Sequence, residues 1–468
     1  MIPVRGFEGK RVAVFGLGRT GLTAARALQA GGAEPVLWDE KPASRDAAVA
    51  EGFAVEDLQG ADWSRFAALM LSPGVPLTHP EPHWTVKEAR AAGVEVLGDI
   101  ELFARTVNAA PEHKRPKVVV ITGTNGKSTT TALIGHICQQ AGKDARVGGN
   151  IGIGVLGLDD MHGGAVYVLE VSSYQLDLTS SLKPDVAVLL NISPDHLDRH
   201  GGMEGYVAAK RRVLLNQGKG DTAVVGVDDP WCQQICTEIT AANRRTIVPI
   251  SSGRAIGRGV YALQGVLYDG SSERVVEVCD LLRARSLPGR HNWQNAAAAY
   301  AACRALGIPP MDVAEGLLSF PGLVHRMEKV GVIDGVAFIN DSKATNADAA
   351  RQAMSSYPRF FWIAGGVPKA GGIDSLTDLF PRIAKAYLIG EAAEAFARTL
   401  DGKAPFEISG DLAAATAHAF ADAKAAGGEQ IVLLSPACAS FDQFPDFEVR
   451  GDRFRKAVQD LAPTGAKA

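Results

Sequence analysis

Residues 122–129 read Thr122-Gly123-Thr124-Asn125-Gly126-Lys127-Ser128-Thr129 and follow the apolar run Val118-Val119-Val120-Ile121. A buried strand that empties into a glycine turn, then a lysine and hydroxyls opening a helix, is a way to hold nucleotide phosphates. The glycines let backbone N–H groups converge on phosphate oxygens, and the helix N-terminus adds partial positive charge. Lys127 reaches terminal phosphates, while Ser128 or Thr129 offers a hydroxyl to Mg²⁺. Only Thr124 and Asn125 separate Gly123 from the Gly126-Lys127 pair, so the loop is shorter than the common phosphate loop. ATP is the ligand this segment leads one to expect.

A second glycine run, Gly16-Leu17-Gly18-Arg19-Thr20-Gly21, follows Lys10-Arg11-Val12-Ala13-Val14-Phe15, and Asp39 ends the next strand-like run. A dinucleotide enzyme binds a ribose hydroxyl with such an acid, but the close backbone approach suits any pyrophosphate, uridine diphosphate included. Leu71-Ser72-Pro73-Gly74-Val75 puts a turn on the same carboxyl-terminal edge, and Gly148-Gly149-Asn150-Ile151-Gly152 supplies one amide side chain. Glu170 ends a strand beside the phosphate loop; it reads equally as a Mg²⁺ ligand near Ser128 or as a solvated strand end. His196, between Asp195 and Asp198, is carried to the same edge as a metal or substrate contact. Lys210 by itself reads as a solvated helix charge. Near the C-terminus, Asn340-Asp341-Ser342-Lys343-Ala344-Thr345-Asn346, Gly365-Gly366-Val367-Pro368-Lys369 and the run from Ser435 to Phe444 each follow a strand. Polar strand ends on one domain, two of them bearing lysine, suggest a pocket for an anionic small molecule.

These residues need a frame of alternating strands and helices. The expected fold is α/β with three domains: a Rossmann-like domain over 1–110, a central domain with a P-loop ATPase-like parallel sheet over 111–322, and a C-terminal Rossmann-like domain over 323–468. The proline-bracketed stretch 109–116 reads as a linker, Pro321-Gly322 as the second boundary, and 250–285 as a small antiparallel excursion. Helices are expected over Leu22 to Ala30 and Asn295 to Leu306, and the polar run 340–346 is read as starting another. At 468 residues the chain exceeds one ordinary core. Its net charge of -4, from 48 basic and 52 acidic residues, offers no basic surface for nucleic acid. No apolar stretch is long enough to span a membrane, and residues 1–10 lack a signal-peptide core. A cytoplasmic protein with reduced cysteines, and a monomer, is expected.

Taken together, residues 123–129, Glu170-Val171-Ser172-Ser173, Asp195-His196, His291-Asn292-Trp293-Gln294-Asn295, His325-Arg326 and Asn340-Asp341-Ser342-Lys343 resemble the Mur ligase family of ATP-dependent cell-wall enzymes. The likeness runs through all three blocks in order. Within the family, Gly98-Asp99-Ile100-Glu101-Leu102-Phe103 and the Ser435–Phe444 run look most like members that add D-glutamate to UDP-N-acetylmuramoyl-L-alanine. The resemblance implies that Gly123, Thr124, Asn125, Gly126, Lys127, Ser128 and Thr129 bind ATP phosphates, with Asn292, Asn295, Arg326 and Asp341 around the nucleotide. It implies Mg²⁺, as two ions, held by Ser128, Glu170, His196 and a carbamylated Lys210, which reverses the reading of Lys210 as a surface charge. Lys127, His196 and Lys210 become the catalytic set. Gly18, Thr20, Asp39, Ser72, Pro73, Gly74 and Asn150 would hold the UDP-sugar, and Lys343, Thr345, Lys369, Ser440 and Phe447 the D-glutamate. Because Asp341 would reach ATP from the third domain, that domain is expected to close on the second. A nicotinamide or flavin oxidoreductase is the competing reading of the first glycine run, but it leaves Gly126-Lys127-Ser128 unexplained. A ligase with another acceptor and a non-catalytic ATP-gated binding protein are the other two.

Overall fold

Short runs of valine, leucine and isoleucine closed by glycine or proline suit parallel strands buried on both faces. A computed structural model describes residues 1–369 and 371–461, and there such runs build three sheets. The first holds β1 (Arg11–Phe15), β2 (Glu34–Trp38), β3 (Ala54–Val55), β4 (Ala68–Leu71) and β5 (Glu95–Leu97), all parallel, in the order β3-β2-β1-β4-β5. The order reverses between β1 and β4, so the turns after those two strands open a crevice on the carboxyl edge. The helix after β1, Arg19–Ala30, begins earlier than Leu22 because Gly18 already serves as its N-cap.

The second sheet contains β6 (Lys117–Thr122), β7 (Asp144–Gly149), β8 (Ala165–Glu170), β9 (Val186–Leu189), β10 (Thr222–Gly226), β11 (Thr246–Ser251), β12 (Val260–Leu263), β13 (Val266–Asp269) and β14 (Val276–Asp280). Its order is β14-β13-β12-β11-β10-β9-β6-β8-β7. Strands β6 to β12 pair in parallel, while β12, β13 and β14 form the antiparallel excursion expected within 250–285. Strand β6 lies between β8 and β9, so the phosphate loop, Glu170 and Asn191 leave neighbouring strands on one edge.

These two sheets belong to one compact unit, Met1–Phe320. The stretch at 109–116 is therefore a short connection rather than a loose tether: it contains one 3₁₀ turn, Glu112–Lys114. Just before it, helix Asp99–Ala109 packs across both sheets. Phe103 lies 5.3 Å from the Tyr167 ring of β8, and the buried Glu101 carboxylate accepts the N–H groups of Ser180 and Ser181 at 2.7 and 2.9 Å. One apolar core runs through the unit, from Val12 and Val14 to Val118, Tyr167 and Ala223.

A second unit begins at Pro321. Its sheet comprises β15 (Glu328–Ile333), β16 (Val336–Asn340), β17 (Phe360–Gly365), β18 (Ile383–Ile389), β19 (Phe406–Gly410) and β20 (Gln430–Leu434), in the order β15-β16-β20-β17-β18-β19. Only the β15–β16 pair is antiparallel. Strands β16, β20 and β17 are neighbours, which sets the three polar runs of the C-terminal region side by side.

Candidate active site

Strand β6 stops at Thr122, and the chain turns through Gly123 (φ 154°) and Gly126 (φ 86°) into helix Lys127–Gln140. A side chain at Gly126 would place its Cβ 2.2 Å from Asn295 Oδ1, so glycine is required for the loop to lie against that helix. The Lys127 ammonium folds along the loop and donates to the carbonyls of Gly123 at 3.0 Å and Thr124 at 2.8 Å. Behind the loop, Asn295 and Asn292 are buried and joined at 3.0 Å, and Thr130 Oγ1 donates to Asn295 Oδ1 at 3.2 Å.

Lys210, on helix Met203–Arg211, is 2% exposed. Its Nζ donates to the Gly123 carbonyl at 2.8 Å and lies 4.6 Å from the Tyr206 ring centroid. Burial, and then the positive charge of Lys127, hold its pKa well below the ordinary lysine value. The surface-charge reading of Lys210 is thus corrected: it lies with Tyr206 and Ala209 on the buried face of the helix. Glu170 ends β8 buried, and Asn150 Nδ2 donates to its Oε1 at 2.8 Å. His196 sits at φ 52° with Nε2 3.4 Å from Asp195 Oδ2 and its ring 5.0 Å from Tyr174.

A cavity of about 460 Å³ gathers some of these groups, but Glu170, Asn292 and Asn295 are not among its lining residues. Lys127, Asn150, His196 and Lys210 line it from the second sheet, and Gly18, Thr20, Ser72, Pro73 and Gly74 from the crevice of the first. Asp39 does not line it. Its Oδ2 accepts the Leu17 N–H at 2.6 Å, so this carboxylate holds the glycine loop in shape.

Within the second unit, Asp341 follows β16 fully buried, with Ser435 Oγ donating to its Oδ2 at 2.9 Å. Burial pushes its pKa up to about 7, against the opposing pull of Ser435 and Arg326. Lys343 Nζ lies 5.4 Å from the Phe447 ring, and Ser342 Oγ donates to the Phe447 carbonyl at 2.7 Å. The loop after β17 pairs with the loop after β20 through Val367 and Ala439, which brings exposed Lys369 and buried Ser440 onto adjoining turns. Thr345 is half-buried, and the 340–346 run leads into helix Ala347–Ser355, capped by Asn346. The intervening residues form a loop because Asp341, Ser342 and Asn340 spend their side chains on long-range hydrogen bonds.

Residues 10–98 match the Mur ligase MurD-like N-terminal domain, 121–303 the Mur ligase middle domain, and 325–438 the Mur ligase glutamate ligase domain. The UDP-N-acetylmuramoylalanine–D-glutamate ligase of Caulobacter vibrioides is 79% identical over 468 residues, covering 100% of this chain and 99% of that one. The enzyme of the same name from Phenylobacterium zucineum is 75% identical, with 100% of both chains covered. The chain belongs to the Mur ligase family. Solved Mur ligases share its fold: UDP-N-acetylmuramate-alanine ligase MurC from Thermotoga maritima superimposes with a TM-score of 0.59 at 18% identity, covering 97% of this chain and 100% of that one. MurF from Acinetobacter baumannii does so with a TM-score of 0.58 at 18% identity, over 96% and 92%.

As a Mur ligase the chain is an ATP-dependent, amide-bond-forming enzyme of peptidoglycan precursor synthesis. The donors on this edge suit magnesium: the Ser128 hydroxyl and Glu170 carboxylate are hard oxygen ligands beside a phosphate loop. Among the described residues no group of three or more His, Cys, Asp or Glu side chains could hold a metal alone. Magnesium does not need such a cage, since it shares its shell with phosphate oxygens and water. Sequence reasoning missed Ser172, Ser173, Tyr174 and Gln175 as part of this Mur ligase cavity. Their signal was legible: Ser172 and Gln175 form a capping box that starts a helix immediately behind Glu170. Tyr206 and His200 gave no such signal. His200 Nε2 meets Ser173 Oγ at 2.9 Å and its Nδ1 meets Asp177 Oδ2 at 2.9 Å, so the acid sets the imidazole and the imidazole orients the hydroxyl.

Proposed function

We propose that this Mur ligase joins D-glutamate to UDP-N-acetylmuramoyl-L-alanine at the expense of ATP. The observation that carries the reading is one cavity walled by a glycine crevice on one side and by Lys127, Lys210 and the phosphate loop on the other. Near-complete identity of length with ligases of that name supports the choice of substrates.

A free carboxylate is a poor acyl donor. The alanyl carboxylate attacks the γ-phosphorus of ATP, ADP leaves, and an acyl phosphate forms. The neutral amine of D-glutamate then adds to the acyl carbon, and the tetrahedral intermediate collapses to amide and inorganic phosphate. Residues 123–129 bind the phosphates, with Lys127 neutralising charge on the transferred group. Asn292 and Asn295 hold the loop from behind, and Arg326 and Asp341 serve the nucleotide. The crevice residues Gly18, Thr20, Ser72, Pro73 and Gly74 take the uridine diphosphate, Asp39 shapes their loop, and Asn150 meets the muramoyl part. Lys343, Thr345, Lys369, Ser440 and Phe447 receive D-glutamate.

Ser128, Glu170, His196 and Lys210 would hold two magnesium ions, which supply Lewis-acid neutralisation of phosphate charge. Burial disfavours the charged form of the Lys210 amine, and in its neutral form that amine can add to carbon dioxide with loss of one proton. The resulting carbamate gives Lys210 two anionic oxygens where the ammonium had none. The protein is proposed to act in the cytoplasm as a monomer, with domains at 1–110, 111–322 and 323–468; no helix among the described residues is long and apolar enough to cross a membrane. Phosphate release with UDP-N-acetylmuramoyl-L-alanine against a panel of amino acids tests the reading. Release with D-glutamate alone is expected, and equal release with L-amino acids would overturn it.

A further inference from the structure

Within the phosphate loop, Lys127 holds the carbonyls of Gly123 and Thr124. The hold on Asn125 comes from outside, from the residue that follows β9 and one intervening position. Asn191 O accepts the Thr124 N–H at 2.8 Å. Its side chain then grips Asn125 by both backbone groups: Asn125 N–H donates to Asn191 Oδ1 at 2.9 Å, and Asn191 Nδ2 donates to the Asn125 carbonyl at 3.2 Å. An amide presenting donor and acceptor side by side thus imitates one more strand residue. Two positions on, Ser193 N–H donates to Thr124 Oγ1 at 3.0 Å.

The orientation of Asn191 is itself fixed. Nδ2 also donates to Gln294 Oε1 at 2.8 Å, and Gln294 Nε2 donates to Asp228 Oδ2 at 3.3 Å. Asp228 is held in turn by Ser251 Oγ at 2.5 Å and the Ser252 N–H at 2.8 Å. The chain ends on a carboxylate, which only accepts, so every amide along it has one permitted direction. Flipping Asn191 would set its NH₂ against the Asn125 N–H and its oxygen against Gln294 Oε1.

We infer that Asn191 is a positioning residue for ATP, a splint that fixes the phosphate loop in its nucleotide-binding shape, and that Gln294 and Asp228 act on ATP only through it. The inference rests on the phosphate-loop reading given above. With Asn125 N–H committed to Asn191, that one donor of the loop is held in place by the splint.

Calorimetric titration of the full chain with Mg·ATP, paired with steady-state kinetics, tests this. Asn191→Ala should raise the Kd and KM for ATP ten- to a hundredfold, with the KM for the UDP-sugar unchanged. Gln294→Ala, which touches no loop atom, should raise them three- to tenfold. The double variant should bind no more weakly than Asn191→Ala, because contacts acting in series do not add. If Asn191→Ala fails to fold, Gln294→Ala alone decides: ATP affinity within twofold of the unsubstituted chain would overturn the inference. So would additive losses in the double variant. Absence of ATP binding by the unsubstituted chain would instead overturn the nucleotide reading itself, and this inference with it.

Discussion

Two glycine loops leave the first strands of the first two sheets, and in each a side chain that follows a neighbouring strand accepts a backbone N–H of the loop. In the first, Leu17 N–H meets Asp39 Oδ2 at 2.6 Å; in the second, Asn125 N–H meets Asn191 Oδ1 at 2.9 Å. The geometry is alike and the charge is not. A carboxylate pins the crevice loop, whose cavity side carries the hydroxyl residues Thr20 and Ser72 and one cation, Arg19. A neutral amide pins the phosphate loop, where Lys127 and Lys210 both converge on the Gly123 carbonyl. A nucleoside triphosphate is more highly charged than a diphosphate ester, and an anionic splint beside it would repel what Lys127 attracts. The two motifs give similar turns; the pin and the surrounding charge are what differ between them.

The sharpest break of that contrast is to remove charge from the second loop. Lys127→Ala should lower kcat on the order of 10²–10³-fold, the loss typical of one preorganised electrostatic contact. Its thermal midpoint should stay near that of the unsubstituted chain, as read by calorimetry. Turnover within a few-fold of normal would remove Lys127 from the reaction. Lys210→Ala should be comparably inactive, and added acetate should restore part of the phosphate release if a carbamate oxygen is what was lost. Failure of any short carboxylate to rescue, with bicarbonate depletion also without effect on the unsubstituted enzyme, would leave Lys210 as a plain amine.

Exchanging the character of the two pins comes next. Asn191→Asp keeps an acceptor for Asn125 but sets a carboxylate against the Asn125 carbonyl and Gln294 Oε1, close to the phosphates. It should raise the KM for ATP more than Asn191→Ala does, by on the order of 100-fold. Asp39→Asn retains one acceptor for Leu17 and should shift only the KM for the UDP-sugar, by less than about tenfold. Initial-rate measurements with each substrate varied separately distinguish the two. Equal effects of both swaps on ATP would mean that the charge of the pin is irrelevant.

How much of this was readable beforehand depends on where each contact closes. The phosphate loop, the crevice turns and the strand ends of the third sheet are local patterns, and the sequence displays them in full. The strands it hides are those whose pattern is broken: β7, β15 and β19 are sheet edges with polar or glycine positions, and Pro249 interrupts β11. Lys210 looks like a surface lysine because its burial depends on Tyr206 packing beneath a loop 87 residues away. Asp39 was legible as a site residue but not as a loop pin, since an acid two residues from a lysine could as well face a ribose. Asn191 sits 66 positions from the residue it clamps, and no local pattern distinguishes it from any asparagine after a strand.

A third acid separates shape from charge in another way, and its effect should be the smallest. Asp99 begins helix Asp99–Ala109 and is buried between the two sheets, where Gln175 Nε2 donates to its oxygens at 3.3 and 3.2 Å. Gln175 Oε1 in turn accepts the Ser172 N–H at 3.1 Å, so Asp99 steadies the cavity wall behind Glu170. Burial raises its pKa from 3.8 to about 6, with the Gln175 bond pulling the other way. Between those values the folded chain binds more proton than the unfolded one, so this carboxyl's contribution to stability falls as pH rises through the window and is lowest above it. Asp99→Asn removes the titration while keeping an oxygen toward Gln175. Between about pH 5 and 7.5 the unsubstituted chain should therefore lose on the order of 1 kcal/mol relative to the variant in denaturant unfolding. Parallel curves would mean that Gln175 rests against a carboxylate already ionised at the lower pH, and that the helix N-terminus and the Gln175 bond together offset burial at this junction.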